Sequence, residues 1–110
     1  MFPKTRRIPR KMFPLLLNGN KTFKNSLFLL RFVSGSEENS RFCFSVSKKV
    51  AKNAVVRNKM RRAGYRLLGK HLAEIKSKIL AIFSFRMIPK SDDEVIKNLE
   101  LILKESKLIK

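Results

Sequence analysis

The sequence predicts an α+β fold with helices layered on one sheet, and three features carry that reading. Residues 41–47, RFCFSVS, alternate apolar and polar with a period of two, which is the mark of a half-buried strand. Near residue 52 the apolar spacing changes to that of a helix, and residues 79–85, ILAIFSF, are an unbroken apolar run rich in β-formers. With 110 residues the chain fits one domain, 1–110, whose basic first stretch, 1–7, is expected to be flexible.

Residues 8–17 suit a short helix, with Pro9 in its first turn and Asn18 and Gly19 ending it, although Pro14 in the middle removes a donor and kinks or delays it. Residues 21–23 form a short strand. Residues 27–33, LFLLRFV, form a better one, too apolar to face water on both sides. SGSEENS, residues 34–40, is a turn-rich hairpin loop. In the strand that follows, Phe42, Phe44 and Val46 share one face, and Arg41, Cys43, Ser45 and Ser47 the other.

In the next helix Val56, Met60, Ala63 and Leu67 fall within an arc of roughly 60° at about 100° per residue. Arg57, Asn58, Lys59, Arg61, Arg62, Tyr65 and Arg66 occupy the rest. The apolar stripe continues through Leu68, Leu72 and Ile75, with Gly64 and Gly69 weakening the helix by up to about 1 kcal/mol each relative to Ala. Residues 79–85 are then a central strand. Ser91 and Glu94 have the spacing of a capping box, and Val95, Leu99, Ile102 and Leu103 line one face of a last helix. The order is helix, two or three strands, helix, strand, helix.

Charge narrows the function. The net +18, from 26 Lys and Arg against 8 Asp and Glu, repels itself unless a polyanion lies against it. Nucleic acid leads over an anionic membrane, because there is neither a spanning segment nor a long basic amphipathic helix without a core. The N-terminus is basic and then apolar, but its apolar run is short, contains Pro14 and lacks a small-residue cleavage site, so it reads as mature cytoplasmic chain. Cys43 and His71 are each the only residue of their kind, which leaves no Cys/His metal site and no histidine-based nucleophile. His71 reads as a surface or boundary histidine. No carboxylate pair is placed for acid/base or metal work, so neither catalytic nor metal-ligating residues are expected.

The eight cations among residues 1–36 and the eight among residues 48–66 are unaccompanied by any acid. AVVRNKMRRAGYR, residues 54–66, holds five of them on one packed helix, without the acids that pair i to i+4 on an ordinary exposed helix. Guanidinium forks grip phosphate bidentately, and Asn58 adds a neutral donor and acceptor suited to a base edge, a ribose hydroxyl or a metal-bound water.

At these residues, SVSKKVAKNAVVRNKMRRAGYR strongly resembles the signature of the bacterial ribonuclease P protein subunit. The matches are Ser45-Val46-Ser47-Lys48-Lys49, then Ala54-Val55, then Arg57-Asn58-Lys59-Met60-Arg61-Arg62. The resemblance implies a single α-β-β-β-α-β-α domain with a mostly antiparallel central sheet, shared with a ribosomal-protein domain, in which the basic helix is a left-handed crossover. It implies an accessory to a catalytic RNA that hydrolyses precursor tRNA with Mg²⁺ and releases the 5′ leader. Partners would be ribonuclease P RNA and precursor tRNA, with Mg²⁺ serving the RNA and no membrane or small-molecule substrate.

Carried over by position, Lys48, Lys49, Lys52, Arg57, Asn58, Lys59, Arg61, Arg62 and Arg66 would bind RNA. Arg57, Asn58 and Arg61 would face the leader cleft, and Lys49, Arg62 and Arg66 the RNA subunit. Ser45, with Phe13, Leu17, Phe28 and Leu30, would line the leader channel, where bases stack on apolar surface without sequence preference. A core role competes for each apolar residue. The chain departs from the pattern at Gly64, where the family has a bulkier apolar residue, and at Tyr65-Arg66, where it has Arg-Glu. The shift turns one cation about 100° around the helix. Tyr65 either stacks on a base or is a half-exposed helical tyrosine.

The main rival is a structural rRNA-binding protein, which shares the charge but needs no open cleft. A DNA-binding regulator would show a helix-turn-helix pair or a dimer seam, and a protein nuclease would show metal carboxylates. The sequence has none of these features.

Overall fold

A computed structural model describes residues 21–34, 40–75 and 79–109. The expected helix at 8–17 and the stretch 1–7 lie outside the described residues. In chain order come β1 (Lys21–Lys24), β2 (Phe28–Ser34), β3 (Arg41–Ser45), α1 (Ala54–Gly69), a single 3₁₀ turn (Leu72–Glu74), β4 (Ile79–Phe85) and α2 (Asp92–Glu105). The sheet order is β1-β2-β4-β3. β2 pairs antiparallel with β1 and β4, whereas β3 pairs parallel with β4, so α1 is the crossover of the one parallel pair.

The continuous apolar run of β4 is explained by its place between β2 and β3. Phe28, Leu30 and Phe32 of β2, Ala81, Phe83 and Phe85 of β4, and Phe42 and Phe44 of β3 are buried with Met60, Leu67 and Leu68 of α1 and Val95, Leu99, Ile102 and Leu103 of α2. The Phe44 and Phe83 rings stack at 5.0 Å, and Phe28 meets Phe85 at 4.8 Å. Leu80 gathers Val33, Cys43 and Ile82 into a separate, smaller cluster. The sheet therefore has a helix-covered face and a second face of mixed polarity.

Local chemistry sets the helix ends. Asn53 caps α1, its Oδ1 accepting the Val55 N–H at 2.7 Å. At α2 the Ser91 Oγ accepts the Glu94 N–H at 3.3 Å, as a capping box requires, but the Glu94 carboxylate accepts from the Lys90 N–H at 3.2 Å. α1 does not run on to Ile75. It ends at Gly69, the Lys70 N–H turns back to the Leu67 carbonyl, and the 3₁₀ turn carries the chain to Ile75, which is buried in a bridge with Ile109. The stripe through Leu68 and Ile75 is thus shared between a helix and a turn, both facing the core. β3 is likewise shorter than its alternating stretch, because the ladder to β4 ends at Ser45 opposite Ser84.

Gly64 is a close-approach position. A Cβ there would lie 2.6 Å from the Phe44 ring, so the missing side chain lets α1 settle onto β3.

Candidate nucleic-acid interface

The basic helix begins where β3 ends. After Ser45 the chain turns, with the Ser47 carbonyl accepting from Val50 and Ala51 at 3.1 Å, and this leaves Lys48 and Lys49 exposed beside the start of α1. The first turn of α1 holds no acid, so the positive end of the helix dipole lies among cations and reinforces their field.

The orientation of α1 sorts its charges. Met60, Gly64, Leu67 and Leu68 point into the core. Arg57, Arg61 and Tyr65 fall on the flank toward β3, and Lys59, Ala63 and Arg66 on the flank toward α2. Asn58 and Arg62 lie outermost and exposed. Lys48, Lys49, Lys52, Lys59 and Arg62 are exposed, their side chains with no protein hydrogen bond or ion pair among the described residues.

Three of the expected RNA contacts also have work inside the protein. The Arg57 guanidinium donates to the Ala51 and Lys52 carbonyls, each at 2.8 Å, and so braces the loop that carries the lysines. Arg61 donates to the Asn58 Oδ1, linking two of the expected cleft residues into one unit. Arg66 pairs with Asp92 at 2.7 Å, both side chains being more than half exposed, so it is not an unpaired RNA-facing cation. An argument from neighbours four residues apart is blind to an acid 26 residues downstream.

Tyr65 is the partly exposed helical tyrosine of the second alternative, and it also has a structural partner. Its hydroxyl accepts the Phe44 N–H at 3.3 Å, and its ring meets the Phe44 ring edge-on at 5.1 Å. It ties the basic helix to the edge strand. Beside it, burial pushes the Cys43 thiol above its ordinary range, while hydrogen bonding to Tyr65 and the charge of Arg61 oppose the shift. His71 is half-buried between Glu74, at 3.3 Å, and Glu100, at 3.6 Å, as a boundary histidine should be.

The channel residues need correcting. Phe28 and Leu30 are fully buried on the helix-covered face, whereas Ser45 lies on the other, where its Oγ meets the Ser84 Oγ at 2.9 Å. A lining that includes Ser45 cannot include Phe28 and Leu30. The register through β2, β4 and β3 places Leu29, Ser84 and Ser45 in one row and Arg31, Ile82 and Cys43 in the next. With Val33, Leu80 and Arg41 in the third row, these residues form the second face. On β2 the outward residues are therefore Leu29 and Arg31, one position from the expected Phe28 and Leu30, and on β4 the outward Ile82 and Ser84 were not expected at all. The signal was present: Arg31 is the one polar residue within LFLLRFV, and it marks the outward side. Phe13 and Leu17 lie outside the described residues.

Among the described residues no group of three or more His, Cys, Asp or Glu converges, and no helix is long and apolar enough to cross a membrane.

A single basic α+β domain, with its crossover helix laid along an edge strand and a mixed-polarity sheet face beside it, defines the class. The family profile described as Ribonuclease P matches residues 2–107, and on that match the chain belongs to the ribonuclease P protein family. It is 34% identical over 74 residues to the ribonuclease P protein component of Mycoplasma capricolum, a stretch covering 66% of this chain and 67% of that one. The structure of the Staphylococcus aureus RNase P protein, 26% identical, superposes with a TM-score of 0.86 over 97% of this chain and 100% of its own. The Thermotoga maritima RNase P protein, 22% identical, shares the fold with a TM-score of 0.80 over 90% of this chain and 96% of its own. The family is that of a ribonuclease P subunit, and tRNA processing is its field.

Proposed function

We propose that this chain binds the catalytic RNA of ribonuclease P and the 5′ leader of precursor tRNA, and assists endonucleolytic removal of that leader in the cytoplasm. The observation that carries the reading is the row of exposed cations at Lys48, Lys49, Lys52, Lys59 and Arg62, unpaired among the described residues, in a chain of this family. Such a row meets phosphates from a rigid helix and its braced loop, so little backbone order remains to be gained on binding.

The two flanks of α1 divide the work. The outer side with Arg62, together with the α2 flank with Lys59, takes the RNA subunit. The flank toward β3, with Arg57 and with Arg61 held to the outer Asn58, borders the second sheet face, where Leu29, Ile82, Ser84 and Ser45 offer apolar and hydroxyl surface and Arg31 a cation. Unpaired bases stack on such a surface without sequence preference, which suits leaders of many sequences. In this reading, as the family resemblance implies, hydrolysis belongs to the RNA and Mg²⁺ serves it there.

The test is cleavage of 5′-labelled precursor tRNA by a bacterial ribonuclease P RNA at low Mg²⁺, with and without the protein. Stimulated cleavage at the mature 5′ end, absent with protein alone, supports the reading. Tight binding with no stimulation of several such RNAs favours the structural rRNA-binding role instead. Arg61→Ala is expected to impair cleavage of leader-bearing precursor more than general RNA affinity, and equal losses with and without a leader would remove Arg61 from the cleft.

A further inference from the structure

The loop from β4 to α2, Arg86-Met87-Ile88-Pro89-Lys90, exposes two large apolar side chains, Met87 at 44% and Ile88 at 50%. A mobile loop could hide such residues by folding back, but this one is held at both ends. The Arg86 N–H donates to the Leu27 carbonyl at 2.7 Å, and its guanidinium donates to the Asn25 carbonyl. Asn25 in turn donates to the Asn98 carbonyl of α2 at 3.0 Å, and the Lys90 N–H donates to Glu94. The apolar pair is therefore presented to solvent on a braced turn.

Its position gives it a partner. β3 and β4 run parallel, so the loop leaves β4 at the end of the sheet where β3 gives way to Lys48, Lys49 and the start of α1. A groove of about 250 Å³ joins loop and helix, lined by Lys59, Met60 and Ala63 on one side and by Pro89, Lys90 and Ser91 on the other, with Asp92 and Val95 at its base. Of the nearby acids, Asp92 is paired with Arg66, Glu94 accepts from the Lys90 backbone, and Asp93 lines a separate pocket with Ser26 and Lys97. Lys59 and Lys90 thus flank the groove as cations without a side-chain partner among the described residues, beside exposed Met87 and Ile88.

We infer that this loop is a second contact for the RNA subunit, in which Lys59 and Lys90 hold phosphates and Met87 and Ile88 pack against the face of an unpaired nucleotide. This deepens the functional reading above and rests on it. The groove opens on the α2 flank of the basic helix, on the helix-covered side of the sheet, and the leader's proposed surface is on the other side. The RNA subunit is therefore the occupant to which the geometry commits.

The experiment titrates a bacterial ribonuclease P RNA with the full-length protein and with M87S/I88S, and then measures stimulated cleavage. The double variant is expected to bind that RNA about tenfold more weakly, the scale of one lost base contact, with unchanged thermal unfolding because both side chains are exposed. Ile88→Glu should weaken binding further by repelling the backbone. Lys90→Gln should make the salt dependence shallower by about 0.7 to 0.9 per decade, as expected for one released phosphate contact. Stimulated cleavage together with unchanged affinity of M87S/I88S overturns this inference alone. A loss seen only with leader-bearing precursor overturns the choice of the RNA subunit, and altered self-association in sedimentation with unchanged RNA affinity makes the loop a protein contact. Failure of the unsubstituted protein to stimulate any such RNA overturns the functional reading and this inference with it.

Discussion

The two faces of the sheet differ in what they can spare. On the helix-covered face, Phe28, Leu30, Phe42 and Phe83 have no exposure at all, and their side chains pack in one core with those of α1 and α2. On the other, Leu29, Ile82, Ser84, Cys43 and Ser45 are only half-buried, and hydroxyls and a thiol alternate with aliphatic groups. Both faces are cut from the same strands, one residue out of step. Apart from Leu80, which is buried on the second face, the choice between tight packing and partial exposure is made by side-chain parity, not by hydrophobicity.

The sharpest way to break that contrast is to truncate one residue on each face. Phe83→Ala should lower stability by about 3–5 kcal/mol in urea unfolding, the usual cost of emptying a fully buried aromatic site. Ile82→Ala should cost clearly less. Equal losses would mean that the second face is as tightly packed as the first.

A smaller effect is expected where the basic helix meets the core face. Gly64→Ala improves helix propensity by up to about 1 kcal/mol, but its Cβ would lie 2.6 Å from the Phe44 ring. A net destabilisation of about 1–3 kcal/mol should follow. A stabilised variant would show that α1 is not in close register with β3. Tyr65→Phe comes next, at about 0.5–1.5 kcal/mol for the lost hydrogen bond to Phe44. Restored stability in Tyr65→His or Tyr65→Gln would show that the acceptor, not the ring, matters.

Cys43 sharpens the comparison by pH. Its folded-state thiol is raised by burial, so the folded chain keeps a proton that the unfolded chain gives up. The neutral thiol's contribution is fully present below the ordinary thiol range and is lost as pH rises from there through the raised folded-state value. Alkylation at neutral pH should be slower in the native protein than after denaturation, and equal rates would place Cys43 in water. The smallest effect belongs to Asp92→Ala, which should change stability by at most about 1 kcal/mol, because its pair with Arg66 is exposed. It should also strengthen RNA binding slightly by freeing Arg66, and this shows best at low salt.

Much of the fold was legible because its strongest elements obey local rules. The alternation of RFCFSVS, the continuous run of β4 and the Ser91 cap each depend on neighbours within a few residues, and each reappears in the structure. The unbalanced cations were legible for the same reason, and the Ser45 to Arg62 pattern led to the family that the profile match shows. β2 was harder. Six of the seven residues in LFLLRFV are apolar, so composition alone does not say which side meets the helices, and only the pairing with β4 and β3 puts Phe28 and Leu30 inward and Leu29 and Arg31 outward.

By itself, then, the sequence determined the order of elements, the basic helix and the family, because periodicity, capping and charge are properties of a chain's near neighbours. Tertiary structure alone decided that Arg66 answers Asp92, that Tyr65 ties α1 to an edge strand, that Gly64 makes room for Phe44, and which face of β2 meets α1 and α2. Each of these joins residues at least 20 positions apart, where the partner is set by how the layers stack.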